Sequence, residues 1–215
     1  MSNILLLGGG LQSLSMARGL KECGHRVINF AKPEDVGRYS NFIDEFIGRP
    51  FESLGVAKIS RLVDRYGINL IIPMEDEYAE WLSEKKRDIE ALGNVKCAVE
   101  DYATFSRVLN KASLLGFCKE NGVPHPSTAS IDPANPAAAS ATVPMPALIK
   151  PDVSNGSRGI CRVSSVEELC LKAPQVIKAY GECSLQELIE QDHYYNVMLY
   201  RYADSTYGPS TVTCI

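Results

Sequence analysis

The chain has 215 residues, 22 of them basic and 26 acidic, for a formal net charge of −4. Hydrophobic residues make up 45% and charged residues 22%, the proportions of a globular protein, which excludes a disordered or fibrous chain. The acidic balance speaks against a dedicated nucleic-acid binder, and no stretch approaches the roughly 20 apolar residues that span a bilayer.

The length exceeds a usual domain of ~100–150 residues, so one large domain or two smaller ones can each bury a core. Met1-Ser2-Asn3 carries no basic n-region, and only four apolar residues follow before three glycines. No signal peptide is read there, and a cytoplasmic location is expected. Cysteines stand at 23, 97, 118, 161, 170, 183 and 214, an odd number with no CxxC pair. They read as reduced thiols, mostly buried as small hydrophobes. His25, His125 and His193 are scattered and give no metal signature.

In chain order, Ile4–Leu7 is an apolar run broken by Gly8-Gly9-Gly10, after which Leu11, Leu14, Ala17 and Leu20 recur at helical spacing up to Gly24. Arg26–Phe30 reads as a second strand, completing a strand, glycine turn, helix, strand unit. Ile43–Ile47 is a short strand, Ile59–Tyr66 a helix stopped by Gly67, Ile68–Ile72 a buried strand, Glu75–Leu92 a charged amphipathic helix, and Lys96–Val99 a strand. This alternation predicts a doubly wound, Rossmann-like domain over about the first hundred residues. Asp101–Asn121 is helix-rich. Asp132–Pro146, with its prolines and alanines, reads as a short helix or connector inside a domain. The strand Ala147–Ile149 leads into a glycine-rich loop, then a strand at Ile160–Val163 and a helix at Val166–Lys172, with Gln175–Lys178 a further strand. Tyr195–Tyr202 and Ser210–Ile215 form a hairpin. The chain ends inside that β pattern, which predicts a truncated or naturally shortened product and an exposed edge that favours pairing with a second chain, a homodimer.

Two places carry chemistry. Gly8-Gly9-Gly10-Leu11-Gln12-Ser13 lies between a strand and a helix, so its amides can hold an anion or simply make a tight turn. The G-x-G-x-x-G spacing is not met, because Ser13 stands at the third glycine, and strand two ends Asn29-Phe30-Ala31-Lys32 with no acid. Both count against a nicotinamide-dependent oxidoreductase. No P-loop motif occurs. The second place is Lys150-Pro151-Asp152-Val153-Ser154-Asn155-Gly156-Ser157-Arg158-Gly159-Ile160: a lysine at a strand end, a loop of small residues, then another strand. Small residues let main-chain N–H groups approach phosphate oxygens, and lysine supplies a mobile point charge. Arg158 adds a second charge or is a solvated loop residue, and the whole is otherwise an ordinary hairpin.

Lys150–Val163 resembles the phosphate-covering loop of the ATP-grasp superfamily. Three further segments resemble the family in order and spacing. They are Asn110-Lys111 with the helix running to Asn121-Gly122-Val123-Pro124-His125-Pro126; Met145-Pro146-Ala147-Leu148-Ile149-Lys150-Pro151; and Ser184-Leu185-Gln186-Glu187-Leu188-Ile189-Glu190 followed by Tyr194-Tyr195-Asn196-Val197. The resemblance implies an α/β chain. A Rossmann-like pre-ATP-grasp domain over 1–101, as in the carbamoyl-phosphate-synthase-like branch, would precede an incomplete ATP-grasp α+β domain over 102–215. Its lid subdomain would fall at about 110–185, and 186–215 would begin a C-terminal lobe.

Carried over by position, the resemblance implies that Lys111 and Lys150 contact ATP phosphates. The amides of Ser154, Asn155, Gly156 and Ser157 would cover the β- and γ-phosphates, and Glu187, Leu188 and Glu190 would border the adenine. Glu75 and Asp76 would lie where such folds meet substrate, although an acidic first helical turn is also favoured by the helix dipole. Tyr194 stands where the family has an acid for the ribose, and Asn110 replaces an aspartate beside Lys111. The family's magnesium carboxylates and asparagine would fall beyond residue 215, so Mg²⁺ has no expected ligands in this chain. The implied function is the ATP-binding portion of a carboxylate–amine or similar ligase working through an acyl phosphate, with ATP and an unidentified small carboxylate as partners. The other reading is a non-catalytic nucleotide-binding or scaffold module of the same fold.

Overall fold

A computed structural model describes residues 1–154, 156–190, 193–199, 201–202 and 204–214. The chain divides into two compact units, Met1–Asn110 and Lys111–Ile215, each described by itself.

The first unit alternates strand and helix: β1 (Asn3–Leu7), α1 (Gly10–Glu22), β2 (Arg26–Ala31), β3 (Glu45–Gly48), α2 (Val56–Tyr66), β4 (Leu70–Pro73), α3 (Asp76–Glu90), β5 (Lys96–Cys97) and α4 (Tyr102–Leu109). All sheet pairings are parallel, in the order β3-β2-β1-β4-β5. Alternation along the strands explains the two-sided sheet. Leu5, Leu7, Ile28, Phe30 and Ile71 pack with Ile59 and Leu62 of α2 and Tyr78, Leu82 and Ile89 of α3. Ile4, Leu6 and Val27 on the other face pack with Ala17 of α1. Burial on both faces is why these strands are continuous apolar runs. The order reverses beside β1, so the carboxyl ends of β1, β2 and β4 border the crevice where doubly wound sheets hold ligands.

The second unit contains α5 (Lys111–Glu120), β6 (Thr128–Ser130), β7 (Ala147–Pro151), β8 (Cys161–Val163), α6 (Val166–Tyr180), β9 (Cys183–Glu187), β10 (Tyr195–Met198) and β11 (Thr211–Cys214). An antiparallel sheet runs β6-β9-β7-β8, and β10 pairs with β11 as the expected hairpin. Its apolar face, with Ala147, Ile149, Val163 and Leu185, is covered by Leu169 and Ala173 of α6 and by Ile131, Ala139 and Val143. The opposite face is polar. Direct pairing places Lys150 opposite Ser184 and sets Gln186 opposite both Leu148 and Thr128, so these side chains share it.

The structure overturns the strand expected at Gln175–Lys178, which lies inside α6 with Pro174 within the helix. Val176 and Ile177 pack against the core formed by Leu169 and Ala173, and that helical burial outweighs the N–H lost at Pro174. The helix-rich stretch 101–121 is two helices that break at Asn110, and α4 packs on α3. The connector at 132–146 contains a 3₁₀ turn, Pro136–Ala141. The described residues hold no helix long and apolar enough to cross a membrane. All seven cysteines are free. Cys97 and Cys183 are buried, and burial first, then a neighbouring carboxylate, pushes both thiols up, Cys97 to about 12.

Candidate functional site

The triglycine loop at the end of β1 is already occupied by the protein's own acids. Gly9 N–H donates to Glu75 Oε1 at 2.7 Å, and Gly10 N–H donates to Asp35 Oδ2 at 2.9 Å. Asp35 Oδ1 also accepts from Gly37 N–H at 2.8 Å, capping the 3₁₀ turn that follows β2. Asp35 sits so close to the loop that a Cβ on Gly9 would overlap its carboxylate. Asn29, buried on β2, donates Nδ2 to Gly8 O at 2.8 Å and to Leu6 O at 3.2 Å, fixing the start of the loop. With two amides and the dipole of α1 satisfied by carboxylates, the loop offers nothing to a phosphate, and repulsion from both acids opposes one. Glu75 is therefore tied down at the end of β4, at the N-cap position of α3, and Asp76 is exposed beside it. Below them the Tyr78 hydroxyl is fully buried with no hydrogen-bond partner among the described residues. Burial, then Glu75, Glu77, Glu52 and Asp35, pushes it up to about 12.

The second loop has the opposite electrostatics. Lys150 projects from the polar face of β7 and donates to Gln186 Oε1 on β9, while Gln186 Nε2 donates to Thr128 Oγ1 at 3.3 Å. Lys111, at the start of α5, donates Nζ to Ser154 O at 2.9 Å and Ser154 Oγ at 3.2 Å, and its own N–H donates to Asp152 O at 3.1 Å. The two ammonium groups are close enough that Lys150 is depressed below its ordinary value, by burial first and by Lys111 second. Neither lysine has a carboxylate within 4 Å among the described residues. Their hydrogen bonds go to neutral oxygens. Asp152 anchors the base of the loop, its N–H donating to Glu182 O at 2.9 Å and its Oδ1 accepting from Ser184 Oγ at 2.6 Å. Lys150 on the polar sheet face and Lys111 at the start of α5 thus bring two positive charges near each other with no carboxylate within 4 Å among the described residues, an arrangement that suits an anion.

Lys111, Lys150 and Ser154 are brought together, and Gly156 and Ser157 lie in the exposed turn beyond, with Gly156 in the left-handed region at φ 58°. Asn155 lies outside the described residues. Glu187 and Leu188 continue β9 past Gln186. Glu187 N–H donates to Ser127 O at 2.8 Å and its Oε2 accepts from Ser127 N–H at 3.0 Å, while Leu188 N–H donates to Pro146 O at 3.3 Å. Glu190 and Tyr194 are exposed. Residues missed from the sequence are Gln186, which holds Lys150, the Asp152–Ser184 pair, and Asp35. Asp152 beside Lys150-Pro151 was visible as part of the motif. The others depend on strand register and on a turn that brings Asp35 back to a loop 25 residues earlier.

A doubly wound parallel domain followed by an antiparallel sheet, with Lys150 on the sheet's polar face and Lys111 at the start of α5, is the ATP-grasp fold, and the chain has that fold. No protein-family model matches it. Its likeness is to particular enzymes. The N5-carboxyaminoimidazole synthetase of Staphylococcus aureus, solved with ADP, superposes with a TM-score of 0.75 at 16% identity, over 98% of this chain and 54% of that one. The biotin carboxylase domain of the 2-oxoglutarate carboxylase of Hydrogenobacter thermophilus, solved with MgADP, ADP and bicarbonate, gives 0.71 at 21% identity over 92% and 46%. A D-aspartate ligase of Enterococcus faecium (strain Aus0004) is 28% identical over 134 residues, 58% of this chain and 31% of the ligase. The chain thus spans about half the length of these solved structures and about a third of the ligase.

Proposed function

We propose that this chain is the ATP-binding portion of a carboxylate–amine ligase that works through an acyl phosphate. The observation that carries the reading is the pair Lys111 and Lys150, held by neutral partners and lacking a carboxylate among the described residues. A carboxylate is a poor electrophile. Phosphorylation gives it a leaving group that an amine can displace, and cations aimed at the transferring phosphoryl group stabilise the charge that spreads over it. In this chain Lys150 and Lys111 would hold phosphate oxygens, and the amides of Ser154 to Ser157 would close over them. Glu187, Leu188 and Glu190 would border the base, mainly through main-chain groups. Glu75 and Asp76 would lie where substrate is met at the carboxyl end of β4, their negative charge suiting its amine rather than its carboxylate. The likeness to D-aspartate ligase supports an amino acid as that substrate.

Magnesium, when bound, neutralises charge on the phosphates. The described residues contain no cluster of three His, Cys, Asp or Glu side chains that fits a metal ion, so its ligands are not assigned to this chain and no step is derived through it.

The test is calorimetry of Mg-ATP into the 215-residue chain, with saturable heat as the expected result. No heat at millimolar ATP would sink the proposal. A non-catalytic nucleotide module is favoured by one observation, the exposed Tyr194 where the family carries an acid. In assays of the longest natural form of the protein, ATP binding without amino-acid-dependent release of phosphate would select that second reading.

A further inference from the structure

The first unit holds a cationic place that the nucleotide reading leaves unused. β3 ends the parallel sheet, paired among the described residues only to β2. Along it, with side chains of α2, runs a groove of about 330 Å³ that includes Glu45, Arg49, Lys58, Leu62, Arg65 and Tyr66. That is the lower end of the range for small-molecule sites, roughly 300–1,000 Å³. None of the three cations has a carboxylate within 4 Å among the described residues. Among the described residues Arg49 reaches only the adjacent Gly48 O, at 3.2 Å.

The acid in the groove is already engaged. Glu45 Oε1 accepts from the Tyr66 hydroxyl at 3.0 Å, and burial followed by Glu45 pushes that hydroxyl's pKa up. The Tyr66 ring in turn carries Arg65 at 5.0 Å and Arg26 at 5.7 Å, so the Arg65 guanidinium is held in place by its contact with the ring face. Three positive charges against one committed carboxylate leave a net charge of about two to be matched, in a chain whose overall charge is negative. Two of the three are arginines, whose planar forks suit the paired oxygens of phosphate and carboxylate.

We propose that this groove binds a small multivalent anion, a phosphate ester or a polycarboxylate, independently of the lysine-lined sheet face of the second unit. The same chemistry could be offered by an acidic protein segment, and the experiment separates the two sources. The ¹⁵N-labelled 215-residue chain is titrated at low salt with pyrophosphate, with citrate and with hexaglutamate, and amide shifts are mapped. Pyrophosphate and citrate should give saturable shifts at residues 45–49 and 58–66, with midpoints that rise with added salt. The R49Q/K58Q/R65Q variant should weaken them at least tenfold, and the K111A/K150A variant should leave them in place.

Shifts confined to residues 150–158 would overturn the proposal, and so would equal affinity in the triple variant. Hexaglutamate acting on the same residues at a tenfold lower concentration would overturn the small-anion assignment in favour of an acidic segment. Should the triple variant fail to fold by circular dichroism, R49Q, K58Q and R65Q are read singly. Each should weaken binding several-fold, and wild-type affinity in all three would reject the site.

Discussion

Two glycine-rich loops follow strands in this chain, and they differ in what faces their amides and side chains. At Gly8–Gly10 the protein turns Glu75 and Asp35 onto its own N–H groups, from 66 and 25 residues away. At Lys150–Gly159 it supplies lysines and no carboxylate partner among the described residues. The first loop is a satisfied structural joint at the switch point of the sheet, and the second carries positive charge bonded only to neutral oxygens among the described residues. Glycine content alone is therefore a poor guide to anion binding. The charge that the tertiary structure delivers to the loop decides.

The largest expected effect tests that division directly. Lys111→Ala with Lys150→Ala should weaken ATP binding about 100-fold or more, since each charge-assisted contact contributes roughly 1.5–3 kcal/mol. Calorimetry reads it, and Glu75→Gln serves as the counterpart that should leave nucleotide affinity within about threefold. If Glu75→Gln abolished ATP binding while the lysine variant retained it, the roles of the two loops would be reversed.

Alanine at one glycine of each loop sharpens the contrast in stability. Gly9→Ala places a methyl group on the Asp35 carboxylate and displaces its bonds to Gly10 and Gly37, so about 2–4 kcal/mol should be lost. At Gly156 a Cβ meets nothing within 4 Å among the described residues, and the left-handed φ of 58° should cost about 1 kcal/mol. Urea unfolding followed by circular dichroism gives both values. Equal losses would mean that Asp35 does not lock the first loop.

The two loops also differ in how far they could be read in the sequence. The parallel sheet was legible because strands buried on both faces are written as apolar runs, as at Ile4–Leu7 and Arg26–Phe30. β9 was not, because Ser184 and Gln186 face the lysine side and interrupt its apolar pattern, so Ser184–Glu190 showed a family motif without showing a strand. Pro174 followed by Val176 and Ile177 imitates a strand start, yet the spacing of Leu169, Ala173, Val176 and Ile177 is helical and the core takes it so. Lys111 and Lys150 stood out by residue type and motif. Their partners did not, because the pairing of Lys150 with Gln186, 36 residues on, exists only in the register of β7 with β9.

A smaller effect belongs to the first loop's surroundings. Tyr78→Phe removes a buried hydroxyl that has no partner among the described residues and keeps the ring that packs edge-on against Phe51 at 4.9 Å. The variant should be more stable by about 1 kcal/mol, the cost of burying an unpaired hydroxyl. Destabilisation in urea would mean that the hydroxyl is bonded in solution and that the acids around it act on it directly.

The smallest effect is a fraction of a proton, and its sign follows from Lys150. Burial and Lys111 lower its folded pKa below the ordinary 10.5, so the ammonium is less favoured in the folded chain than in the unfolded one. Below the folded pKa both states are protonated and the full penalty of the buried ammonium applies. As pH rises through the folded pKa toward 10.5, the folded state releases its proton first and the penalty is relieved. The wild type should therefore gain stability relative to Lys150→Met over that alkaline window, until the two differ only by packing. A phosphate beside Lys150 acts in the opposite direction, favouring the ammonium and raising its pKa. Nucleotide binding should then take up less than one proton in the alkaline range and none near pH 7, where Lys150 is already charged. Calorimetry in two buffers of different ionisation enthalpy measures this uptake. Proton release instead, or uptake that persists in Lys150→Met, would remove Lys150 from the phosphate site and with it the contrast between the two loops.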